Sequence, residues 1–190
     1  VVPVRDMHEL MDFVRGFSKT HVCAPRGGTA VVTFSGGAGI VSADLLADHG
    51  LVLADLEPQT IDALASVYPE WMRPSHPVDL WPAVELNGHE NVYTVAVEAI
   101  MKDENVNSVI VETISWELTT TAYLLKIAEM KKRYGKPVAL WLIGASGLQD
   151  AYRAAAEDAG VPVFTEITRC AAFLAGARAH FSKRGRVVPA

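Results

Sequence analysis

The residues best placed to do chemistry in this chain are Thr33-Phe34-Ser35-Gly36-Gly37-Ala38-Gly39, which follow a β-branched run and open a helical one. A helix start exposes unpaired backbone N–H groups at the positive end of the helix dipole, and glycine there lets an anion approach the backbone closely. Ser35 suits the N-cap position, its hydroxyl acting as cap or as an additional donor. Ser35, Gly36, Gly37, Ala38 and Gly39 therefore form a candidate oxyanion cradle, with the amides of Gly37, Ala38 and Gly39 as the donors. On the residues alone the same segment serves equally well as a tight βα turn that binds nothing. It is not a lysine-containing phosphate loop, because no Gly-Lys-Ser/Thr follows. It also misses the dinucleotide fingerprint, since Ala43 falls one residue past the third glycine position. Ser35 lacks the Gly-x-Ser-x-Gly context of a strained nucleophile.

Other polar residues gather near the same edge. His76 and Asp79 stand in His76-Pro77-Val78-Asp79-Leu80, inside a stretch, 68–88, that carries Pro69, Pro74, Pro77 and Pro82. The prolines argue for a structured loop with at most a very short strand, and loops this long in a compact domain are usually functional. Asp79 is expected to brace that loop, because a carboxylate beside a bound phosphate is electrostatically unfavourable. Glu112 and Glu117 flank Trp116 on what reads as the loop after the third strand, where a substrate role and a solvated edge are both open. Gly144, in Ile143-Gly144-Ala145-Ser146-Gly147, opens a second helix on that edge. Lys131-Lys132-Arg133 closes a helix, where positive charge complements the dipole and needs no binding partner. Cys23 and Cys170 have no metal or redox spacing.

Parallel strands alternating with helices would position these residues. The β-branched runs are 29–34, 51–53, 109–111, 137–142 and 162–164. Between them, Val92, Val95, Ala96, Ala99 and Ile100 make one helical stripe, and Leu148, Ala151, Tyr152, Ala155 and Ala159 another. Gly50, Gly135 and Gly160 each follow a helix, where a left-handed cap suits glycine. Five βα units with right-handed crossovers and one reversal give an α/β doubly wound sheet of order 2-1-3-4-5. The composition agrees: 190 residues, 50% hydrophobic, with 17 basic and 22 acidic side chains for a net charge of −5. That is a folded, mildly acidic protein with no concentrated positive face for nucleic acid, no membrane-spanning run and no secretory signal, which makes the cytoplasm the default.

Residues 1–19 do not begin like a domain. They read as a short strand at 1–4 and a helix with Leu10, Phe13, Val14 and Phe17 on one face. The carboxyl end repeats that layout, with Val4 falling on Phe164, Asp6 on Glu166, Met7 on Ile167 and Phe13 on Phe173. The expected organisation is a closing βα unit of a neighbouring domain at 1–19, a linker at 20–28, the main domain at 29–182 and a tail at 183–190. An extra βα unit joining the same sheet is the alternative. The helix near the amino end, carrying an apolar face without a sheet of its own, is expected to dock on the main domain or on another copy, so a homo-oligomer is open.

The order of motifs resembles one family. Val31-Val32-Thr33-Phe34-Ser35-Gly36-Gly37-Ala38-Gly39-Ile40, Ala43-Asp44, His76-Pro77-Val78-Asp79-Leu80, Lys136-Pro137-Val138 and Ala159-Gly160-Val161-Pro162-Val163 together resemble the NDP-forming acyl-CoA synthetases. These are the ADP-forming acetate–CoA ligases and their relatives in the succinyl-CoA synthetase superfamily. The resemblance covers about 28–182 and matches the flavodoxin-like domain that follows the phosphohistidine domain. It implies interconversion of a carboxylic acid, CoA and ATP with acyl-CoA, ADP and phosphate through a phosphohistidine, the Gly36–Gly39 turn holding the phosphate. It implies partners too: phosphohistidine-bearing, CoA-binding and ATP-grasp domains, with CoA, ATP or ADP and Mg2+ used by the whole enzyme and none bound by this piece.

This chain departs from the family pattern in places. None of His8, His21, His49, His76, His89 and His180 stands in the context of the phosphorylated histidine, so this piece is expected to be inert alone. Phe34 stands where asparagine is common, and His76 where Asn-Pro-Val-Asp is usual, which adds a titratable group near the cradle or a surface histidine without a role. Two other readings stay open: a non-catalytic regulatory module of a fused protein such as a lysine acetyltransferase, and a free-standing module that binds flavin mononucleotide.

Overall fold

The structure, a computed structural model, describes residues 2–21, 27–116, 120–144 and 146–182. In chain order the elements are α1 (Met7–Lys19), β1 (Gly28–Thr33), α2 (Gly36–Asp48), α3 (Pro58–Ala65), β2 (Val78–Asp79), α4 (Trp81–Asn87), α5 (His89–Lys102), β3 (Val106–Ser115), α6 (Ala122–Tyr134), β4 (Val138–Gly144), α7 (Ser146–Asp158), β5 (Val163–Phe164) and α8 (Ile167–Ser182). The strands form one sheet of order β2-β1-β3-β4-β5, every neighbouring pair parallel. This is the flavodoxin-like order expected from the sequence.

Strand side chains alternate between the two faces, and both faces are buried, as a doubly wound sheet requires. Ala30, Val32, Val109, Val111, Val138 and Leu140 point into one core with Leu64, Tyr93, Tyr123 and Ile127. Val31, Ile110 and Ala139 point into the other with Phe13, Leu46, Phe173 and Leu174. Gly135 and Gly160 take positive φ values of 63° and 90° before β4 and β5, as their position after a helix predicted.

The edge beside β1 corrects the sequence reading. Residues 51–53 make only an isolated parallel bridge, Leu53 to Thr29. The second strand is Val78–Asp79, inside the proline-rich stretch, paired with Val32 and Thr33. Two separate segments therefore share one edge, and a gap in the ladder lies between them. His76 fills it. The Val31 N–H donates to His76 Nε2 at 2.9 Å, and His76 Nδ1 lies 2.8 Å from the Ala54 carbonyl oxygen. A neutral ring with its proton on Nδ1 satisfies both backbone groups, which would otherwise be unpaired next to a ladder. The proline-rich stretch also holds a helix that the sequence reading did not anticipate, α4. Pro82 sits in its first turn, where no intrahelical N–H is needed.

Burial lowers the His76 pKa from 6.5, with the Ala54 hydrogen bond and the charges of Asp103 and Asp55 opposing that shift. The unfolded chain therefore binds a proton more readily than the native one. This contribution to stability is full above pH 6.5 and is lost as pH falls from there through the lowered native value. His76→Ala should cost about 1–3 kcal/mol at pH 7.5 by orphaning the Val31 N–H and the Ala54 carbonyl, and should flatten the acid side of the stability profile. Urea unfolding of both proteins at pH 7.5 and pH 5.5 checks this. An unchanged pH slope would show that the ring's protonation does not matter to the edge.

At the amino end, residues 2–4 form no strand, contrary to expectation. The following helix, α1, is capped by the Asp6 side chain, which accepts from the Glu9 N–H at 2.8 Å. It docks on α8, with Phe13 in the second core and Asp12 pairing with Arg169. Cys170 is free and buried, whereas Cys23 and the tail at 183–190 lie outside the described residues.

Candidate functional site

All five strands run the same way, so their carboxyl ends meet at one edge. β1 delivers Phe34 and Ser35 there, and the chain turns at once into α2. Ser35 is the N-cap, extended at φ −158° and ψ 128°, and its Oγ accepts the Ala38 N–H at 3.5 Å. The Gly39 N–H donates to the Ser35 carbonyl at 3.1 Å. This revises the donor set. The Gly39 amide is spent inside the helix and the Ala38 amide faces the cap, so the amides free of an intrahelical partner are those of Gly36 and Gly37. Ser35, Gly36 and Gly37 are exposed, whereas Ala38 is half-buried and Gly39 buried.

Each glycine has a distinct reason. A Cβ on Gly39 would lie 3.0 Å from Pro77 Cβ, so this position lets the β2 segment close on α2. A Cβ on Gly36 would lie 3.2 Å from Asp79 Oδ2, which places the Asp79 carboxylate beside the helix start. Gly37 is open, its nearest neighbour being Ser35 Oγ at 3.7 Å. Asp79 has the bracing role expected of it: Oδ1 accepts the Trp81 N–H at 3.1 Å, and its backbone carbonyl accepts the Tyr68 hydroxyl at 2.5 Å. Thr33 ties the turn to both sides, its hydroxyl donating to the Ser35 carbonyl at 2.9 Å and its own carbonyl accepting the Leu80 N–H at 2.8 Å.

Glu112 is misplaced in the sequence reading. It lies within β3, not on a loop, and is buried. Its Oε2 accepts the Phe34 N–H at 2.8 Å, holding the residue that leads into the cradle. Burial pushes its pKa up from the ordinary 4.5, the Phe34 N–H opposes this and the charge of Asp79 adds to it. A glutamate in the middle of a β-branched run was the available signal. Behind Phe34 lies an aromatic group the sequence reading also missed. His89 stacks on Tyr93 at 4.2 Å, and Phe34 meets Trp81 edge-on at 4.9 Å. Burial drives the His89 pKa down to about 4, so the ring is neutral at physiological pH.

His76 reaches the edge only indirectly, by holding the segment that carries Pro77 and Asp79. Gly144 ends β4 at φ 112°, where a Cβ would collide with the Ser115 carbonyl. Trp116 is partly exposed just beyond β3, and Glu117 lies outside the described residues. Lys131 Nζ donates to the Lys19 carbonyl and, at 3.1 Å, to that of Gly160. It thereby ties the end of α1 to the amino edge of the sheet. A hollow of about 690 Å³ lies at that opposite edge, away from the cradle, and has Lys131 in its wall. No described group of three or more His, Cys, Asp or Glu side chains is placed to hold a metal ion. No described helix is long and apolar enough to cross a membrane.

Fold and edge define the class: an open parallel α/β domain of flavodoxin-like order with an exposed glycine-rich helix start at its carboxyl edge. No protein-family model matches the chain. It is 33% identical over 168 residues to acetate–CoA ligase (ADP-forming) II of Archaeoglobus fulgidus, a match covering 88% of this chain and 24% of that protein. It is 29% identical over 171 residues to the alpha subunit of acetate–CoA ligase (ADP-forming) II of Pyrococcus furiosus, covering 86% and 35%. Among solved structures, a protein of Pyrococcus horikoshii OT3 superposes with a TM-score of 0.78 at 20% identity, over 96% of this chain and 42% of that one. The dinucleotide forming acetyl-coenzyme A synthetase 1 of Ca. Korarchaeum cryptofilum, in complex with phosphate and ADP, does so with a TM-score of 0.74 at 20% identity, over 97% and 40%. These superpositions establish the fold. The homologues of this chain are ADP-forming acetate–CoA ligases, as the motif order implied. The chain spans about a quarter and about a third of the lengths of these two curated relatives.

Proposed function

We propose that this chain is the flavodoxin-like domain of an NDP-forming acyl-CoA synthetase, and that the start of α2 holds the phosphoryl group as it passes between acyl phosphate and a histidine on another domain. The observation that carries this reading is the pair of open amides, Gly36 and Gly37, on an exposed helix start in a chain whose homologues are ADP-forming ligases. Phosphoryl transfer depends mainly on positioning and on electrostatic stabilisation of a multiply charged group, and preorganised amides at a helix dipole's positive end supply both. The domain does the holding. Acid, CoA and ADP bind elsewhere in the whole enzyme.

The neighbouring charges set the strength of the cradle. Asp79 and Glu112 stand beside it, and no lysine or arginine lies within 33–43. One cradle alone therefore binds weakly, with a Kd on the order of 1–10 mM for inorganic phosphate, and tight binding needs donors from a second domain. Titration of the 15N-labelled chain with phosphate, against a chloride control, should shift the Gly36 and Gly37 amide resonances first. Saturation without any movement at these two amides would remove the cradle from the mechanism. The same two carboxylates favour a second reading, a regulatory module of this fold in which the edge no longer takes phosphate. Under that reading the titration is silent and the complete protein makes no acyl-CoA.

A further inference from the structure

The hollow of about 690 Å³ at the amino edge of the sheet has four lysines in its wall, Lys19, Lys131, Lys132 and Lys136, against one carboxylate, Glu129. Two of the four lysines have partners within the fold. Lys131 Nζ donates to the carbonyls of Lys19 and Gly160 and so neutralises the negative ends of α1 and α7. Lys136 Nζ donates to the Asp103 carbonyl, and the charges of Asp103, Glu104 and Glu57 face it. Lys19 and Lys132 are left over. Among the described residues neither forms an ion pair, although the neighbouring Arg133 reaches Glu98. Lys19 lies close enough to Lys131 to repel it.

A second, independent observation lies in the same wall. Thr20 lines the hollow and is only 3% exposed, yet its Oγ1 has no hydrogen-bond partner. A buried hydroxyl without a partner is costly, and one beside two unpaired ammoniums calls for an acceptor that enters the hollow. Size and lining say what kind. The volume exceeds the need of an inorganic anion and falls within the range of about 300–1,000 Å³ common for small-molecule sites. Leu125, Ala128 and Lys132 share one face of α6 at spacings of three and four, so an apolar strip leads over about 10 Å to an ammonium. Glu129 stands on that face one turn before Lys132, which confines the negative charge of any occupant to the Lys132 end.

We propose that this hollow is a binding site for an organic phosphate, its phosphate held by Lys19, Lys132 and the Thr20 hydroxyl and its apolar body laid along Leu125, Ala128 and Pro137. Two free ammoniums match the double charge of a phosphate monoester better than the single charge of a carboxylate, and lysine serves phosphate as a point charge with several donors. The site is separate from the cradle at α2, which lies at the other edge of the sheet. It touches the ends of α1, α6 and α7 at once, so an occupant would stiffen the attachment of α1 to the sheet.

Titration of the 15N-labelled 190-residue chain with 1-naphthyl phosphate and, separately, with ADP tests this, with inorganic phosphate and 1-naphthol as the head and the body alone. At least one of the two esters should shift the Thr20, Gly135 and Gly160 amides with a Kd at or below about 1 mM. Inorganic phosphate should act on the same amides at least about tenfold more weakly. Tighter binding of ADP assigns the site to nucleotides, and tighter binding of 1-naphthyl phosphate to other phosphate esters. Lys132→Glu changes an exposed side chain and should weaken the tighter ester at least about tenfold. Thr20→Val should raise the melting temperature of the free chain by a few degrees, because it removes an unpartnered buried hydroxyl, and yet weaken binding by about threefold or more. Failure of both esters to saturate below about 10 mM, shifts confined to Gly36 and Gly37, or unchanged affinity in either variant would overturn the proposal. The amides read here lie at the opposite edge from α2, so a negative result leaves the function proposed for the cradle standing, and a silent cradle leaves this site standing.

Discussion

Replacing Gly37 by aspartate in the complete protein is expected to reduce acyl-CoA synthesis by about a thousandfold while leaving the domain folded. The two halves of that expectation have separate causes. The fold survives because Gly37 is exposed in the first turn of α2 and a Cβ there meets nothing closer than Ser35 Oγ at 3.7 Å. An acidic residue in the first turn of a helix even adds a few tenths of a kcal/mol through the dipole. The activity is lost for the same electrostatic reason. The new carboxylate sits where the phosphate's oxygens must approach the Gly36 and Gly37 amides, and like charges a few ångströms apart repel. Gly37→Ala adds bulk without charge and should keep activity within about tenfold of wild type. Thermal melts and circular dichroism check the fold, and acyl-CoA synthesis together with phosphohistidine formation and discharge check the chemistry. A Gly37→Asp enzyme with normal turnover of both would take the cradle out of the reaction. Gly39 makes a poor test of the same idea, because a Cβ there already crowds Pro77 at 3.0 Å and loss of activity would mix packing with electrostatics.

How far the sequence carries the reading depends on how much periodicity each part offers. Strand β4 and the helices α5 and α7 were legible because their apolar spacing extends over several turns or pleats, whereas of β3, Val106–Ser115, only 109–111 read as strand. The cap at Ser35 was legible too, since serine before a glycine-rich helix start has a local mechanism. β2 was not legible as the edge strand, because two residues, Val78 and Asp79, are too few to show alternation. The run 51–53 has the better strand composition, yet only Leu53 reaches β1. The edge is decided by a tertiary bond through His76, which no local pattern encodes. Glu112 was misread for a related reason. A charged residue near a strand's carboxyl end usually marks where the loop begins, but here a buried backbone N–H, that of Phe34, provides the partner that lets a carboxyl group stay inside β3. At α2 the motif located the helix start, while the partner of each amide required the cap geometry.

Truncation of Phe173 to alanine is expected to destabilise the protein by about 3–5 kcal/mol, lowering its melting temperature by on the order of 10 °C. The same truncation at Phe13 should lower it far less. Sequence alone makes the two residues look equivalent, since each precedes a glycine by three positions in matching helices. Their surroundings differ. Phe173 is fully buried, stacks on Phe164 at 5.4 Å and meets Phe17 edge-on at 5.9 Å, so its ring joins β5, α8 and α1 in one cluster. Removing it leaves a cavity beneath the sheet as well as between the helices. Phe13 reaches the core only from α1, and one side of that helix is already exposed to solvent. Its loss loosens the docking of α1 while α2 and α8 still cover the face. Local opening of that kind raises amide exchange along α1 without a comparable fall in global stability. Hydrogen exchange separates the cases: Phe13→Ala should accelerate exchange within Met7–Lys19 alone, and Phe173→Ala should accelerate it in α1, α8 and β5 together. Equal losses of global stability from the two truncations would mean that α1 is a constitutive layer of this domain's core.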